Sequence, residues 1–372
     1  MAITNTWQEK LGRLFTVSLT ELLPFRSEQS YISLDIGSSA IKMVEVRTTG
    51  EQLELLNWGV IPTPPAAIQN NMVTEPERLG DVVRGLLESK GVRARRAITA
   101  VPGPAVMIKR VTLPAQSAHD MEHTIMVEAG NFIPEDLENV NLDYQVIDHL
   151  EDTKQMEVLL VAAKRDIVGS YAETLRAAGL APVIVDVDYF ALDNMYELNY
   201  DPTPSQVVAL VNIGARYSSM NILKGGRSTF TGDVPVGGRD ITEALTRDLG
   251  VTPEVAEQLK AGREVDGISQ EQVSMALGPA TDALIEEIHY ALSFFWTAAT
   301  DERIDALYIS GGAAHIPELR QRLADRSDAP VEIADPLARV GFASGSDEET
   351  MRARSSEFAV AMGLAVRRPE DK

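Results

Sequence analysis

Cysteine is missing from all 372 residues. That excludes a disulfide framework, a thiolate metal site and a thiol nucleophile, and it fits a reducing compartment such as the cytoplasm. Positive charge is scarce as well: 34 Lys and Arg stand against 55 Asp and Glu, a net charge of −21. With no clustered basic stripe, sequence-independent binding to nucleic acid is not expected, because phosphate backbones are held by grouped cations. No run reaches the roughly 18 to 20 apolar residues that span a bilayer. Residues 1–30 also lack the basic start, apolar middle and small-residue cleavage site of a secretory signal. The G-x-x-x-x-G-K-[ST] phosphate loop and the G-x-S-x-G nucleophile turn are both absent, so neither chemistry has an anchor. His119 and His123 stand four apart on an expected helix, but without the Glu of an H-E-x-x-H order or a third ligand they do not make a metal site.

What is present is an ordinary globular balance, 44% apolar and 24% charged, in a chain long enough for two cored domains. Trp7, Leu11, Leu14, Phe15 and Leu22 recur at helical spacing up to Pro24, so a short amphipathic helix is expected ahead of the main fold. From Tyr31 the pattern changes to hairpin strands, then to a helix over "EPERLGDVVRGLLESKGV" and a strand "AITAVPG". Residues from about 107 to 181 read as a small α+β insert. A Pro-rich hinge, "DPTPS" at 201–205, follows, and then the opening pattern returns. "SLDIGSSAIKMVEV" and "LVNIGARYSSMNIL" share a strand, Ile-Gly, a Ser pair and a second strand, with Asn212 in the place of Asp35. Recurrence on either side of a hinge points to two halves built alike, each offering a turn to one ligand in the cleft between them.

The turn residues suggest the ligand. Gly37, Ser38 and Ser39 expose backbone N–H groups and hydroxyls suited to phosphate oxygens, and Lys42 supplies charge. Asp35 would repel phosphate directly but suits a hydrated Mg²⁺, which keeps its waters. A plain surface hairpin is the competing reading of one such turn; the second copy weighs against it. Gly237 and Gly238 precede a helix with Ile241, Ala244, Leu245 and Leu249 on its apolar face. Glu257 and Lys260, three apart on the next helix, suit either a surface ion pair or contacts to a ribose. Gly311 and Gly312 make a strand-to-helix turn that lets a flat ring approach the backbone.

In chain order, "DIGSSAIK", "VDVDYFAL", "NIGARYSS", "VPVGGRDIT" with "AEQLK", "YISGGAAHIPEL" and "SSEFAVAMGLAV" resemble the actin-like ATPase superfamily over residues 30–367. They stand as phosphate-1, connect-1, phosphate-2, nucleoside helix, adenosine and connect-2 motifs. "LDIGSSAIKMVEV", "FIPEDLENVNLDYQVID" and "YISGGAAHIPEL" are similar to the FtsA-like PilM family of type IV pilus assembly. The resemblance implies an α/β fold of two similar halves around a nucleotide cleft, with an FtsA/PilM-type 1C subdomain inserted. It divides the chain into an extension (1–29), the first part of subdomain 1A (30–106), 1C (107–181), a return to 1A with the hinge (182–205), subdomains 2A and 2B (206–354), a closing helix (355–367) and a tail (368–372).

Carried over residue by residue, the resemblance gives Gly37, Ser38, Ser39 and Lys42, with Gly214, Ser218 and Ser219, to phosphate. Gly237, Gly238, Glu257, Lys260, Gly311 and Gly312 go to the nucleoside, and Asp35, through water, with Asn212 more weakly, to Mg²⁺. Active relatives open the second turn with Asp, so Asn212 implies ATP binding with weak or absent hydrolysis. The implied role is a cytoplasmic scaffold at the inner membrane that docks the N-terminal tail of PilN and meets other pilus machinery such as the motor ATPases, with self-association open. The alternatives are an FtsA-like cell-division anchor, disfavoured by the short, mixed-charge end "GLAVRRPEDK", or a small-molecule kinase of the same superfamily, for which only Asp186 and Asp188 are local candidates for a base. "TELLPFRSE" carries Leu22, Leu23, Pro24 and Arg26, similar apart from Glu21 to the PilN core that the family recognises, which suggests a segment of residues 1–28 that competes for the PilN groove.

Overall fold

The computed structural model describes residues 31–49, 52–298 and 303–368. The expected N-terminal helix and the Leu22-Leu23-Pro24 segment lie outside them. The described residues open with three antiparallel strands, β1 (Tyr31–Ile36), β2 (Ala40–Thr49) and β3 (Gln52–Pro62). A short hairpin of β4 (Ile68–Gln69) and β5 (Met72–Val73) leads to α1 (Pro76–Ser89) and β6 (Arg96–Val101). Next come β7 (Val106–Pro114), α2 (Ala118–Phe132), β8 (Val140–Leu150), β9 (Gln155–Lys164) and α3 (Arg165–Ala177). After β10 (Ala181–Val187) and α4 (Asp188–Asn199), the second half starts with β11 (Val207–Ile213), β12 (Ser218–Lys224) and β13 (Arg227–Val234). It continues through α5 (Gly238–Leu249), α6 (Pro253–Lys260), α7 (Gln270–Ala298), β14 (Ala306–Ser310), α8 (Leu319–Ser327) and β15 (Val331–Ile333). The chain closes with β16 (Val340–Phe342), α9 (Glu348–Ala353) and α10 (Ala359–Ala365).

The repeat seen in the sequence is a repeat of topology. In the first sheet the order β3-β2-β1-β6-β10 is an antiparallel meander followed by two parallel strands, and in the second β13-β12-β11-β14-β15 is the same. The alternation of side chains along each first strand gives both faces of each sheet a partner. Ile32, Leu34 and Ile36 join the core under α1 and α3, and Ala209, Val211 and Ile213 join the core under α5 and α7. Between the sheets lies a shared layer of α4 and α10. Ala191, Leu192 and Met195 of α4 and Ala359, Val360 and Leu364 of α10 pack with Ile98 of the first sheet and with Val208 and Leu210 of the second.

Two boundaries differ from the sequence reading. The insert forms its own sheet, β7-β9-β8, over a core of Val111, Leu113, Met121, Ile125, Val158 and Leu160. It closes at Lys164 rather than at residue 181, because Ile167, Tyr171 and Leu175 of α3 are buried in the first core. The second half likewise ends before residue 354: β16 pairs parallel with β3, and Leu337, Val340 and Met351 pack with Val44 and Leu55 of the first sheet. Among the described residues no helix is long and apolar enough to cross a membrane.

α10 and α4 cross with no room for a side chain. A Cβ on Gly363 would stand 1.7 Å from the Ala191 carbonyl oxygen. Gly363→Ala is therefore expected to cost about 2 kcal/mol or more of stability, read as a lowered urea-unfolding midpoint, whereas the open position Gly130→Ala leaves the midpoint unchanged or raised.

Candidate functional site

The two hairpin turns face each other across a cleft of about 860 Å³. In the first turn the register pairs Asp35 with Lys42 and Ile36 with Ile41, which leaves Gly37, Ser38 and Ser39 to reverse the chain. Gly37 N–H donates to the Ala40 carbonyl, and Thr63 fixes the turn from outside, its N–H donating to Ser39 O and its hydroxyl to Gly37 O. The N–H groups of Ser38 and Ser39 are left without a protein acceptor among the described residues. Lys42 Nζ donates to Asp35 Oδ2 at 2.8 Å, so the two residues assigned to phosphate and metal hold each other beside the turn.

The second turn has the same plan but other residues. Its register pairs Asn212 with Ser219 and Ile213 with Ser218, which places Ser219 where Lys42 stands and Ser218 where Ile41 stands. Ser218 and Ser219 are fully buried in β12, and Ser218 donates its hydroxyl to Val236 O, so neither reaches phosphate as the sequence alignment implied. Counted from the shared glycine, the residues across from Ser38 and Ser39 are Ala215 and Arg216, not the Ser pair. Asn212 does line the cleft, its Oδ1 accepting from Ser310.

α5 is seated directly on this second turn. Gly238 N–H donates to Gly214 O and Arg239 N–H to Ala215 O, each at 2.8 Å, while Asp240 caps Gly237 N–H. A Cβ on Gly237 would come within 2.6 Å of Ala215 O. Gly237 thus permits the contact between turn and helix and does not line the cleft, a correction to its assignment beside the sugar; Gly238 does line it. Lys260 is buried and donates to Gly238 O, Thr242 Oγ1 and Glu257 Oε1, tying α6 to α5. Gly311 and Gly312 line the cleft beside the second turn, and Gly311 holds φ of +92° with Asn212 Oδ1 and Ile213 O too close for any Cβ.

Several lining residues had no local signal in the sequence. Arg216 and Tyr217 enter from the second turn once it is counted from Gly214, Arg239 enters because α5 docks on that turn, and Arg354 and Glu357 arrive from the far end of the chain. Of the two carboxylates raised as bases, Asp186 lies by Arg367, 3.0 Å from its Nε, and does not line the cleft. Asp188 does: at the start of α4 it accepts the Tyr217 hydroxyl on Oδ2, while Oδ1 is buried. Burial, with the charges of Asp233 and Asp35, pushes the Asp188 carboxyl up to about 7 against the opposing Tyr217 hydrogen bond and the Gly103 backbone N–H. His119 and His123 both fall on α2, and among the described residues no group of three His, Asp or Glu is placed to hold a metal ion.

The family model for type IV pilus assembly protein PilM matches residues 33–369. The chain belongs to the PilM family. A solved PilM–PilN type IV pilus biogenesis complex is 29% identical, with a TM-score of 0.80 over 91% of this chain and 98% of that one. MreB5 of Spiroplasma citri bound to ADP matches the fold at a TM-score of 0.50 and 13% identity, over 91% of this chain and 95% of that one. The cell division protein FtsA of Bacillus subtilis strain 168 is 23% identical over 259 residues, 63% of this chain and 58% of FtsA. The fold of this PilM-family chain is the actin-like ATPase fold.

The raised Asp188 has a sign. The folded chain binds its proton more tightly than the unfolded chain does, so the stability it confers is complete below the ordinary carboxylate range and is lost as pH rises through about 7. Asp193, pushed up to about 8 by burial and by Glu197 and Asp186, acts in the same direction, so the variant rather than the pH profile alone isolates Asp188. Asp188→Asn keeps an acceptor for Tyr217 and is expected to raise stability at pH 8 by roughly 2 kcal/mol and to change it little at pH 4, as read from urea unfolding at the two pH values.

Proposed function

We propose that this chain is the nucleotide-binding scaffold of a type IV pilus assembly complex, holding ATP between its two halves and a PilN-type partner on its surface. One observation carries the nucleotide reading: two turns of equivalent topology converge from separate sheets on one cleft, and each presents uncommitted backbone N–H groups or cations to the same space. Phosphates would sit on Gly37, Ser38 and Ser39 and face Gly214 to Arg216, sharing Lys42 with Asp35. The nucleoside would lie toward Gly238, Glu257 and Lys260, with Gly311 and Gly312 closing the base pocket. The donor set fits Mg²⁺ held chiefly by phosphate oxygens and water, with Asp35 reaching it through water, since the protein offers no closed carboxylate cage among the described residues. That ion would draw charge off the phosphates.

Turnover is slow in this reading. Asn212 occupies the position of Asp35 in the second half and offers an amide, which neither takes a proton nor holds a metal-bound water by charge. Asp188 is the carboxylate on the cleft floor able to accept a proton near neutrality. The partner reading rests on the family and on the 98% coverage of a protein solved as a PilM–PilN complex. Docking of the PilN N-terminal tail, contact with the pilus motor ATPases and a place at the inner membrane through those partners belong to the same proposal.

Calorimetry with Mg·ATP and, separately, with a peptide of the PilN N-terminal tail is expected to give saturable binding in both titrations; a folded chain that binds neither overturns the reading. Phosphate release is expected well below about 1 s⁻¹, the low end of ordinary enzyme turnover. Asn212→Asp is expected to raise it at least about tenfold, and an unchanged rate would show that the amide is not what limits hydrolysis.

A further inference from the structure

Six cationic side chains line the cleft, Lys42, Arg216, Arg239, Arg247, Lys260 and Arg354. Carboxylates take four of them: Asp35 holds Lys42, Asp248 holds Arg247, Glu257 holds Lys260 and Glu357 holds Arg354. Arg216 and Arg239 are the two that no carboxylate pairs with among the described residues. Arg239 makes only a long contact, 3.5 Å, to Ser38 O across the cleft.

These two arginines are placed together and held. Arg216 belongs to the second turn and Arg239 is the second residue of α5, and the pair of 2.8 Å backbone bonds from Gly238 and Arg239 to Gly214 and Ala215 fixes one to the other. Both also border a second cavity of about 690 Å³, which shares Ser38, Ser39 and Ile68 with the cleft. Every other residue around that cavity comes from the first half, including Ser38, Ser39 and Thr63, which itself braces the first turn. The arginines therefore stand beside the Ser38–Ser39 turn, at the phosphate end, and they are the second half's contribution to that cavity. Two guanidinium groups that no carboxylate neutralises are available to an anion, and the planar fork of Arg matches phosphate oxygens in pairs.

Resting on the nucleotide reading above, we infer that Arg216 and Arg239 recognise the terminal phosphate of a bound nucleoside triphosphate and, through it, join the second half to the first turn. A diphosphate leaves that group out. The cleft then distinguishes ATP from ADP by arginines of the second half, while the Ser38–Ser39 turn and the nucleoside pocket serve both nucleotides alike.

The test is calorimetry of the full chain with Mg·ATP and with Mg·ADP, compared with the double variant Arg216→Gln, Arg239→Gln and with Arg239→Lys. The wild type is expected to prefer ATP by about tenfold or more, as charge-assisted paired hydrogen bonds contribute. In the double variant ATP affinity is expected to fall at least about tenfold with ADP affinity within about threefold, which erases the preference. Arg239→Lys keeps the charge and loses the fork, and it is expected to fall between the two. Binding of ADP by each variant shows that it is folded. An equal loss for both nucleotides, or no loss for either, overturns the inference and leaves the nucleotide site standing. A wild-type chain that binds neither nucleotide overturns the site itself, and this inference with it.

Discussion

The crossing of α4 and α10 is the contact on which the functional geometry depends. Gly363 brings α10 against the Ala191 carbonyl, and the pair fills the single layer between two sheets that otherwise share little. Each sheet offers this layer one face and keeps its other face for its own helices. Close-packed interiors transmit shifts rather than absorb them, so the distance between the two phosphate turns is set by this layer. Ser33 adds a directional tie, its hydroxyl donating to the Ala361 carbonyl on α10 at 2.7 Å from the strand that carries the first turn. Asp188, at the N-terminal end of α4, puts the cleft floor on the same helix that joins the halves.

Electrostatics then separates what is structural in the cleft from what is available. Hydrogen bonds from a buried cation fix geometry, and Lys260 does that by joining α6 to α5 through two acceptors, Gly238 O and Thr242 Oγ1, while Glu257 of its own helix balances its charge. Lys42 and Asp35 do the same beside the first turn. The charges left over, together with the free N–H groups of Ser38 and Ser39, lie at the phosphate end and point to an anion there.

Much of this was legible in the sequence because it is local. The Asp35–Lys42 hairpin, the glycine turns and the helices after them are each written in fewer than about 20 residues, and their order carried the family resemblance. The errors came where local resemblance misled or tertiary contact decided. Ser218 and Ser219 looked like the partners of Ser38 and Ser39, but strand pairing counts from the glycine and turns them into the sheet. The amphipathic pattern of α3 does not say which sheet will cover it, and β16 is too short, at three residues, to announce that it returns to the first half. Arg216 and Arg239 are far apart in the chain and border the same cavities only because α5 sits on the turn.

The central claim, that one ligand bridges two equivalent turns, is tested most directly by hydrogen exchange of the full chain with and without Mg·ATP. The account predicts slowed exchange at once in residues 36–42, in residues 213–219 and at the start of α5, because the bridging ligand protects donors on both walls. Protection confined to one of the two turns, or placed outside the cleft altogether, would contradict it.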